Sequence, residues 1–294
     1  MIPELQGRAQ IQGAFILGNY LPLDALSVRA TAAYSLRQLT RNYKGPAIQV
    51  RRSDNNNTQD IGFVNGVLDT TSLTTFVDGV SGFVSIWYDQ SGNNNHAIQN
   101  TRAKQPHIVS AGALISTPNG LPAVYSPGSF GSAGQILQTA NSIFNLPYTQ
   151  NVVFAASTLN SVVNLIGTPA GGTNAGNCGI VIQATNQLQV FNASSSTRTS
   201  AISTDNVYTT TAMVGLSTVP GNSRLALNGT LGAVGNFNLA NPAPANFTLF
   251  SGTGLQYNFN GIIQEACLFP SVLSISDRQS LERSQGAYYR ITVA

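Results

Sequence analysis

Charge is scarce in this chain: Lys, Arg, Asp and Glu make up 9% of its 294 residues, against about 25% in an average soluble protein. That excludes a coiled coil or helix bundle, whose exposed faces are built from Glu, Lys and Arg, and a typical cytosolic metabolic enzyme with a charged surface. Cysteine occurs twice, as Cys178 and Cys267, outside any CxxC spacing. A disulfide scaffold is ruled out, while a single disulfide and two buried thiols both stay open. His96 and His107 are the two histidines and stand in neither HxH nor HxxxH spacing. This excludes a His-based zinc site, and no metal or other cofactor is expected. Long apolar runs are missing too. The stretch from Ile11 to Leu23 is cut by Gly13, Gly18, Asn19 and Pro22, with no basic segment before it and no A-x-A-like cleavage site after it. Neither a membrane span nor a secretory leader is expected.

What the chain does have is 42% hydrophobic residues, enough for a sizeable core, and 29 Asn beside 28 Gly. Its solvent face must be built from Ser, Thr, Asn, Gln and Gly, as in β-rich extracellular or particle-bound proteins. The net charge of +3 comes from 12 Arg and two Lys set against 11 acidic residues. Arg51-Arg52 is the only adjacent basic pair, so the clustered basic face that nucleic-acid binding needs is absent.

The apolar period changes along the chain. Leu26, Ala30, Ala33, Leu36, Leu39 and Tyr43 recur every three or four residues, with Arg29, Arg37 and Arg41 mostly opposite. Asp24 or Ser27 can cap the start and Gly45-Pro46 stops the pattern, which predicts an amphipathic helix over 24–44. After Pro46 the period is two. Strands are predicted at 47–52, 83–88, 151–156, 179–183, 187–192, 210–216, 224–228, 247–250 and 261–269. Asn228-Gly229 signals a hairpin turn that needs positive φ. A closing helix is predicted over 276–289, with Ser276 and Gln279 as a capping box. No internal repeat or interdomain linker is visible. Many short strands with two short flanking helices predict a mainly β, two-sheet antiparallel sandwich. Residues 1–22 read as a lead-in, either an arm or a first strand, and 23–294 as the sandwich domain.

AAYSLRQL at 32–39, AIQVRRSDNNNTQDIGF at 47–63, WYDQSGNNNHAIQN at 87–100 and QPHIV at 105–109 form a pattern. It resembles the first half of the α-L-arabinofuranosidase B catalytic domain, a concanavalin-like jelly roll, and also bacteriophage structural and tail-fibre proteins. The segment FNGIIQEACLFPSVLSISDRQSLERSQGAYY at 259–289 is similar to the closing strand and helix of laminin-G-like domains. The resemblance implies retaining glycoside hydrolysis by two carboxyl groups, one attacking the sugar and one protonating the leaving oxygen. At the family's nucleophile segment this chain has Ala184-Thr185-Asn186-Gln187-Leu188-Gln189, and at its acid segment Ser251-Gly252-Thr253-Gly254. Val162-Val163 stands where the family has a vicinal Cys pair, and Asp205 is the only acid between Asp89 and Glu265. The comparison implies a retained fold with the hydrolase chemistry lost, hence no enzyme and no catalytic residues.

Trp87, Tyr88, Asp89 and Gln90 are candidate ligand-binding residues, two aromatics to stack on a sugar and two acceptors for its hydroxyls. In a purely structural role Trp87 fills the core and Asp89 ties a turn with Ser91. Arg52 and His96 complete the set. Arg51 and Arg52 point to opposite faces of a strand, and an ion pair with Asp54 or Asp60 is the structural alternative; His96 is expected to be exposed in its Asn-rich loop. The Asn runs 55–57, 93–95 and 174–177 suit either sugar hydroxyls or positive φ, and acids are too few for a strong calcium site. These readings predict a non-enzymatic bacteriophage virion component, such as a head-fibre, decoration or tail-fibre protein. Its expected partners are other virion proteins, further copies of itself and a host surface glycan, with no nucleic acid and no membrane insertion. The alternatives are a free carbohydrate-binding module and an arabinofuranosidase-like glycosidase using Asp205 with Asp89 or Glu265.

Overall fold

Every residue of the strand Tyr148–Ala156 is buried, which requires cover on both of its faces. On one face Tyr148, Val152 and Phe154 enter the main core. On the other, Asn151 and Val153 meet Gln285 and Tyr289 of the C-terminal helix. The computed structural model describes residues 21–294 except 129–133, 160, 169–177, 193–194, 205, 215–222, 234–244 and 252–256. Residues 1–20 of the lead-in, Asp205 and the Asn run at 174–177 lie outside the described residues.

The architecture is a mainly β, antiparallel two-sheet sandwich. In one sheet Asn260–Phe269 pairs with Ala32–Ser35, Val124–Pro127 and Tyr148–Ala156. The sheet then continues through Tyr208–Val214, Arg224–Leu227 and Thr230–Leu231. The other runs from Thr58–Ile61 through Ile48–Arg52, Gly82–Trp87, Ala97–Ile98, Leu137–Phe144 and Ala245–Leu249. It ends with Val163–Gly167, Cys178–Ile182, Gln187–Asn192 and Ser195–Ala201. His107–Ser110 pairs with a strand of each sheet and joins the two. Between them lies an aromatic core in which Tyr34 sits 6.3 Å from both Trp87 and Phe247, and Phe144 sits 4.4 Å from Tyr148. Cys178 and Cys267 are separate buried thiols rather than a disulfide.

Two predicted elements are corrected. The helix over 24–44 is absent: a 3-10 turn, Pro22–Ala25, leads to the strand Ala32–Ser35. Ala32, Tyr34 and Leu36 face the main core, while Ala30, Ala33 and Leu39 pack in a second cluster behind it. Two-sided burial erased the alternation of period two and left apolar residues at spacings that mimic a helix. The first α-helix is instead α1, Thr70–Val77, started by Asp69, whose side chain accepts from Ser72 N. The closing helix, α2, spans Ile275–Tyr289 and is capped by Ser274 accepting from Asp277 N, so Ser276 lies inside its first turn. The Asn228-Gly229 turn has φ of 47° and 84° and joins two short paired strands, as positive-φ hairpin chemistry requires.

Candidate functional site

The string Asp89-Gln90-Ser91-Gly92 leaves the end of Gly82–Trp87 and folds back on the segment 30–39. Asp89 Oδ1 accepts from Ala33 N and Ser91 N, both at 2.8 Å, and Oδ2 accepts from Ser91 Oγ and Asn95 N. Gln90 Oε1 accepts from Leu39 N at 2.8 Å, while its Nε2 donates to the carbonyls of Ser35 and Arg37. Asn93 and Asn95 reach the carbonyl of Thr31 through their amide nitrogens. The two acceptor side chains singled out from the sequence are therefore the inner half of a clamp, with their polar atoms already engaged. Trp87 is fully buried and offers no face to a ligand.

A cleft of about 630 Å³ opens beside this clamp. Leu23, Asp24, Leu26 and Arg29 line one side, Thr40 to Tyr43 another, and Gln90 to Asn93 the third. Asp24 binds the second side to the first, because its carboxylate accepts from Thr40 Oγ1 and Arg41 N. Arg41 Nε stands 3.9 Å from Asp24 Oδ2 with half of its side chain exposed. Tyr43 donates to the carbonyl of Pro46; burial first, then Asp89 and Asp60, push its hydroxyl up to about 12, so it stays a neutral donor. Asp24, Arg29, Arg41 and Tyr43 were not singled out as site residues, because the helix assignment hid them. The available signal was the polar run Arg41-Asn42-Tyr43 just before Gly45-Pro46, which is loop chemistry.

Tyr88, His96 and Arg52 lie apart from the cleft lining. Tyr88 donates to Asp60 Oδ1 at 2.9 Å and its ring meets His96 edge-on. His96 is half-buried rather than exposed: its Nδ1 accepts from Asp89 N, and burial lowers its pKa against the opposing pull of Asp89. Arg52 pairs with Asp54 at 2.8 Å, and that hydrogen bond holds the Asp54 carboxyl down at about 2. Arg51 is buried on the opposite face, donating to Gln105 Oε1 and lying over the Phe83 ring.

Other carboxylates hold structure together. Glu265 receives Arg37, Gln285 and Tyr289 beneath α2, Asp277 receives Ser27, and Glu282 receives Thr211 and Arg278. Among the described residues that line the cleft, Asp24 is the carboxylate, set beside Arg29 and Arg41. Among the described residues, no group of three or more His, Cys, Asp or Glu is placed to hold a metal ion, and no helix is long and apolar enough to cross a membrane.

The sequence of residues 25–117 matches the family profile described as alpha-L-arabinofuranosidase B, catalytic. A probable alpha-L-arabinofuranosidase B of Aspergillus fumigatus is 34% identical over 84 residues, covering 26% of this chain and 17% of that protein. The alpha-L-arabinofuranosidase B of Penicillium canescens is 40% identical over 65 residues, 21% of this chain and 14% of that protein. The fold is shared with the arabinofuranosidases. A solved arabinofuranosidase in complex with arabinofuranosyl-alpha-1,2-xylobiose superposes with a TM-score of 0.67 over 91% of this chain and 65% of its own, at 19% identity. A GH54 arabinofuranosidase soaked with a cyclic sulfate inhibitor superposes with a TM-score of 0.66 over the same shares.

These likenesses overturn the expectation of a non-enzymatic bacteriophage virion component. The proteins and structures that resemble the chain here are glycosidases, and the segment matched in sequence is part of a catalytic domain. The virion location, and the head-fibre, decoration and tail-fibre roles, fall with it. The exclusion of enzyme activity had leaned on two short segments without carboxylates, a missing vicinal Cys pair and the scarcity of acids between Asp89 and Glu265. That was too narrow a base, because the middle of the chain carries little sequence likeness from which to place a catalytic residue.

Proposed function

We propose that the chain is a glycosidase-type domain directed at α-L-arabinofuranosides. The observation that carries this reading is the match of residues 25–117 to an arabinofuranosidase catalytic domain. Support comes from the structural likeness, which continues through the C-terminal half, beyond the matched sequence. The chemistry needs two carboxyl groups that the structural networks do not occupy. Glu265 and Asp89 are buried and fully engaged; Asp205, which lies outside the described residues and falls in sequence between the strands Ser195–Ala201 and Tyr208–Val214, is the first acid to test.

The test is release of nitrophenol from 4-nitrophenyl α-L-arabinofuranoside by the purified chain and by Asp205→Asn. The expected result is turnover above the protein-free rate that falls by at least about 100-fold in the variant, the scale of a lost acid–base group. A chain with no turnover overturns the hydrolase reading. Turnover unchanged in Asp205→Asn removes that residue from the reaction.

A further inference from the structure

We infer that Asn65 is a site of spontaneous covalent modification, at which the chain itself converts an asparagine into an aspartyl or isoaspartyl link. Asn-Gly occurs four times, at 65–66, 119–120, 228–229 and 260–261. The dipeptide is reactive because glycine has no Cβ to block the approach of its nitrogen to the asparagine side chain. In the step, Gly66 N gives its proton to solvent base and attacks Asn65 Cγ. The new N–C bond closes a five-membered succinimide, the Cγ–Nδ2 bond breaks, and ammonia leaves with the proton returned by solvent. Water then opens the ring at either carbonyl, giving aspartate or isoaspartate. Water is the co-reactant consumed, and nothing is oxidised or reduced.

The fold separates the four dipeptides. Asn65 and Gly66 form the turn of the hairpin that joins Phe63–Val64 to Val67–Leu68, with φ of 53° and 79°. Asn65 is exposed, as are its neighbours Val64 and Val67, and a Cβ on Gly66 would meet nothing within 4 Å. Neither the Asn65 amide nor the Gly66 N–H has a hydrogen-bond partner among the described residues. Paired strands this short are marginal on their own, so the tip opens at little cost. The other three are held. Asn119 Nδ2 donates to the carbonyl of Tyr289 at 2.7 Å, and the nucleophile itself, Gly120 N, donates to Thr117 O at 2.8 Å. Asn228 Oδ1 accepts from Thr209 N at 3.0 Å, and Gly229 lies against the backbone of Ala294. Asn260 Oδ1 accepts from the Tyr125 hydroxyl at 3.2 Å, and Gly261 is buried in a strand paired on both sides. Modification at Asn65 has a neighbour to act on. Gly66 O accepts from Gln38 N at 2.8 Å, and an isoaspartyl link, which runs the main chain through Cγ, lengthens the backbone just ahead of that carbonyl.

The experiment incubates the full chain in mildly alkaline buffer, folded and in urea, and follows aspartate and isoaspartate at the four sites over time by tandem mass spectrometry. In the folded chain Asn65 is expected to convert at least about tenfold faster than each of the other three, the factor that about 1.4 kcal/mol of extra opening cost imposes on a rate. In urea the four rates are expected to converge. A folded chain in which Asn65 stays intact, or in which another Asn-Gly keeps pace with it, overturns the inference. An Asn65 advantage undiminished in urea belongs to local sequence rather than to the fold and overturns it as well. In the modified fraction, amide exchange at Gln38 is expected to quicken; unchanged exchange there overturns the effect on the neighbouring segment. None of these readouts depends on whether the chain hydrolyses arabinofuranosides.

Discussion

Arg37 Nε donates to Glu265 Oε2 at 2.8 Å with both side chains buried, and this pair joins the segment just past Ala32–Ser35 to the central strand Asn260–Phe269. Burial works against the Arg37 charge and is outweighed by Glu265, so its pKa is raised. Gln285 and Tyr289 complete the network from α2. Removing one partner strands the other charge in a dry site, a loss on the order of 3–5 kcal/mol. Glu265→Ala is expected to cost that much in urea denaturation, and the double replacement Arg37→Met, Glu265→Leu less. A single variant within about 1 kcal/mol of wild type would show that the pair is dispensable.

Asp89 accepts four hydrogen bonds that tie the turn after Trp87 to Ala33 and Asn95. Hydrogen bonds to a charged acceptor contribute about 1.5–3 kcal/mol each and do not add independently. Asp89→Ala is expected to lose at least about 2 kcal/mol and to speed hydrogen exchange at the amides of Ala33, Ser91 and Asn95. Unchanged exchange at all three would separate the carboxylate from the clamp.

How much of this was legible in the sequence depended on what covers each element. Where apolar and polar residues alternate in the sequence the strands were plain: Gln187–Asn192 was predicted to the residue, and Ile48–Arg52 and Gly82–Trp87 to within one. Ala32–Ser35, covered on both faces, was read as helix because its flanking apolar residues fell at helical spacing, whereas the longer covered strands Tyr148–Ala156 and Asn260–Phe269 were recognised over most of their length. In α2 the buried face carries Arg278, Glu282 and Gln285, polar residues that meet partners on distant strands, so its inward side does not show as an apolar stripe. The clamp residues Asp89 and Gln90 were visible as polar groups after an aromatic strand. Their targets, Ala33, Leu39 and Arg37, lie about 50 residues away, and no local pattern encodes that pairing. The cleft lining was hidden by the helix reading of 24–44.

Gly229 holds φ of +84° in the hairpin turn, and a Cβ there would meet the backbone oxygen of Ala294 at 2.7 Å. The same turn anchors the chain end, since Ala294 N donates to the carbonyl of Asn228. Gly229→Ala meets both a left-handed backbone and the backbone of Ala294, so a loss of about 1–3 kcal/mol is expected in thermal or urea unfolding. Equal stability of Gly229→Ala and wild type would mean that the turn relaxes.

His96 and His107 make stability fall on mild acidification. Burial lowers both pKa values, with Asp89 opposing at His96, and His96 Nδ1 accepts from Asp89 N, a bond the protonated ring cannot make. His107 is wedged between Phe83 and Tyr125. In the unfolded chain each histidine titrates near 6.5. Between that value and the lower folded one the unfolded state binds more protons, so stability rises with pH across the window. Tm is expected to be level above about pH 7.5, to drop as pH falls through about 6.5, and to stop responding to these groups below their folded values. Glu282, raised by burial, pulls the opposite way at lower pH. The measurement is therefore the difference in Tm between wild type and the double variant His96→Asn, His107→Asn from pH 8 to 5. A difference that does not change with pH, or one that favours wild type more as pH falls, would mean the rings are protonated in the folded state.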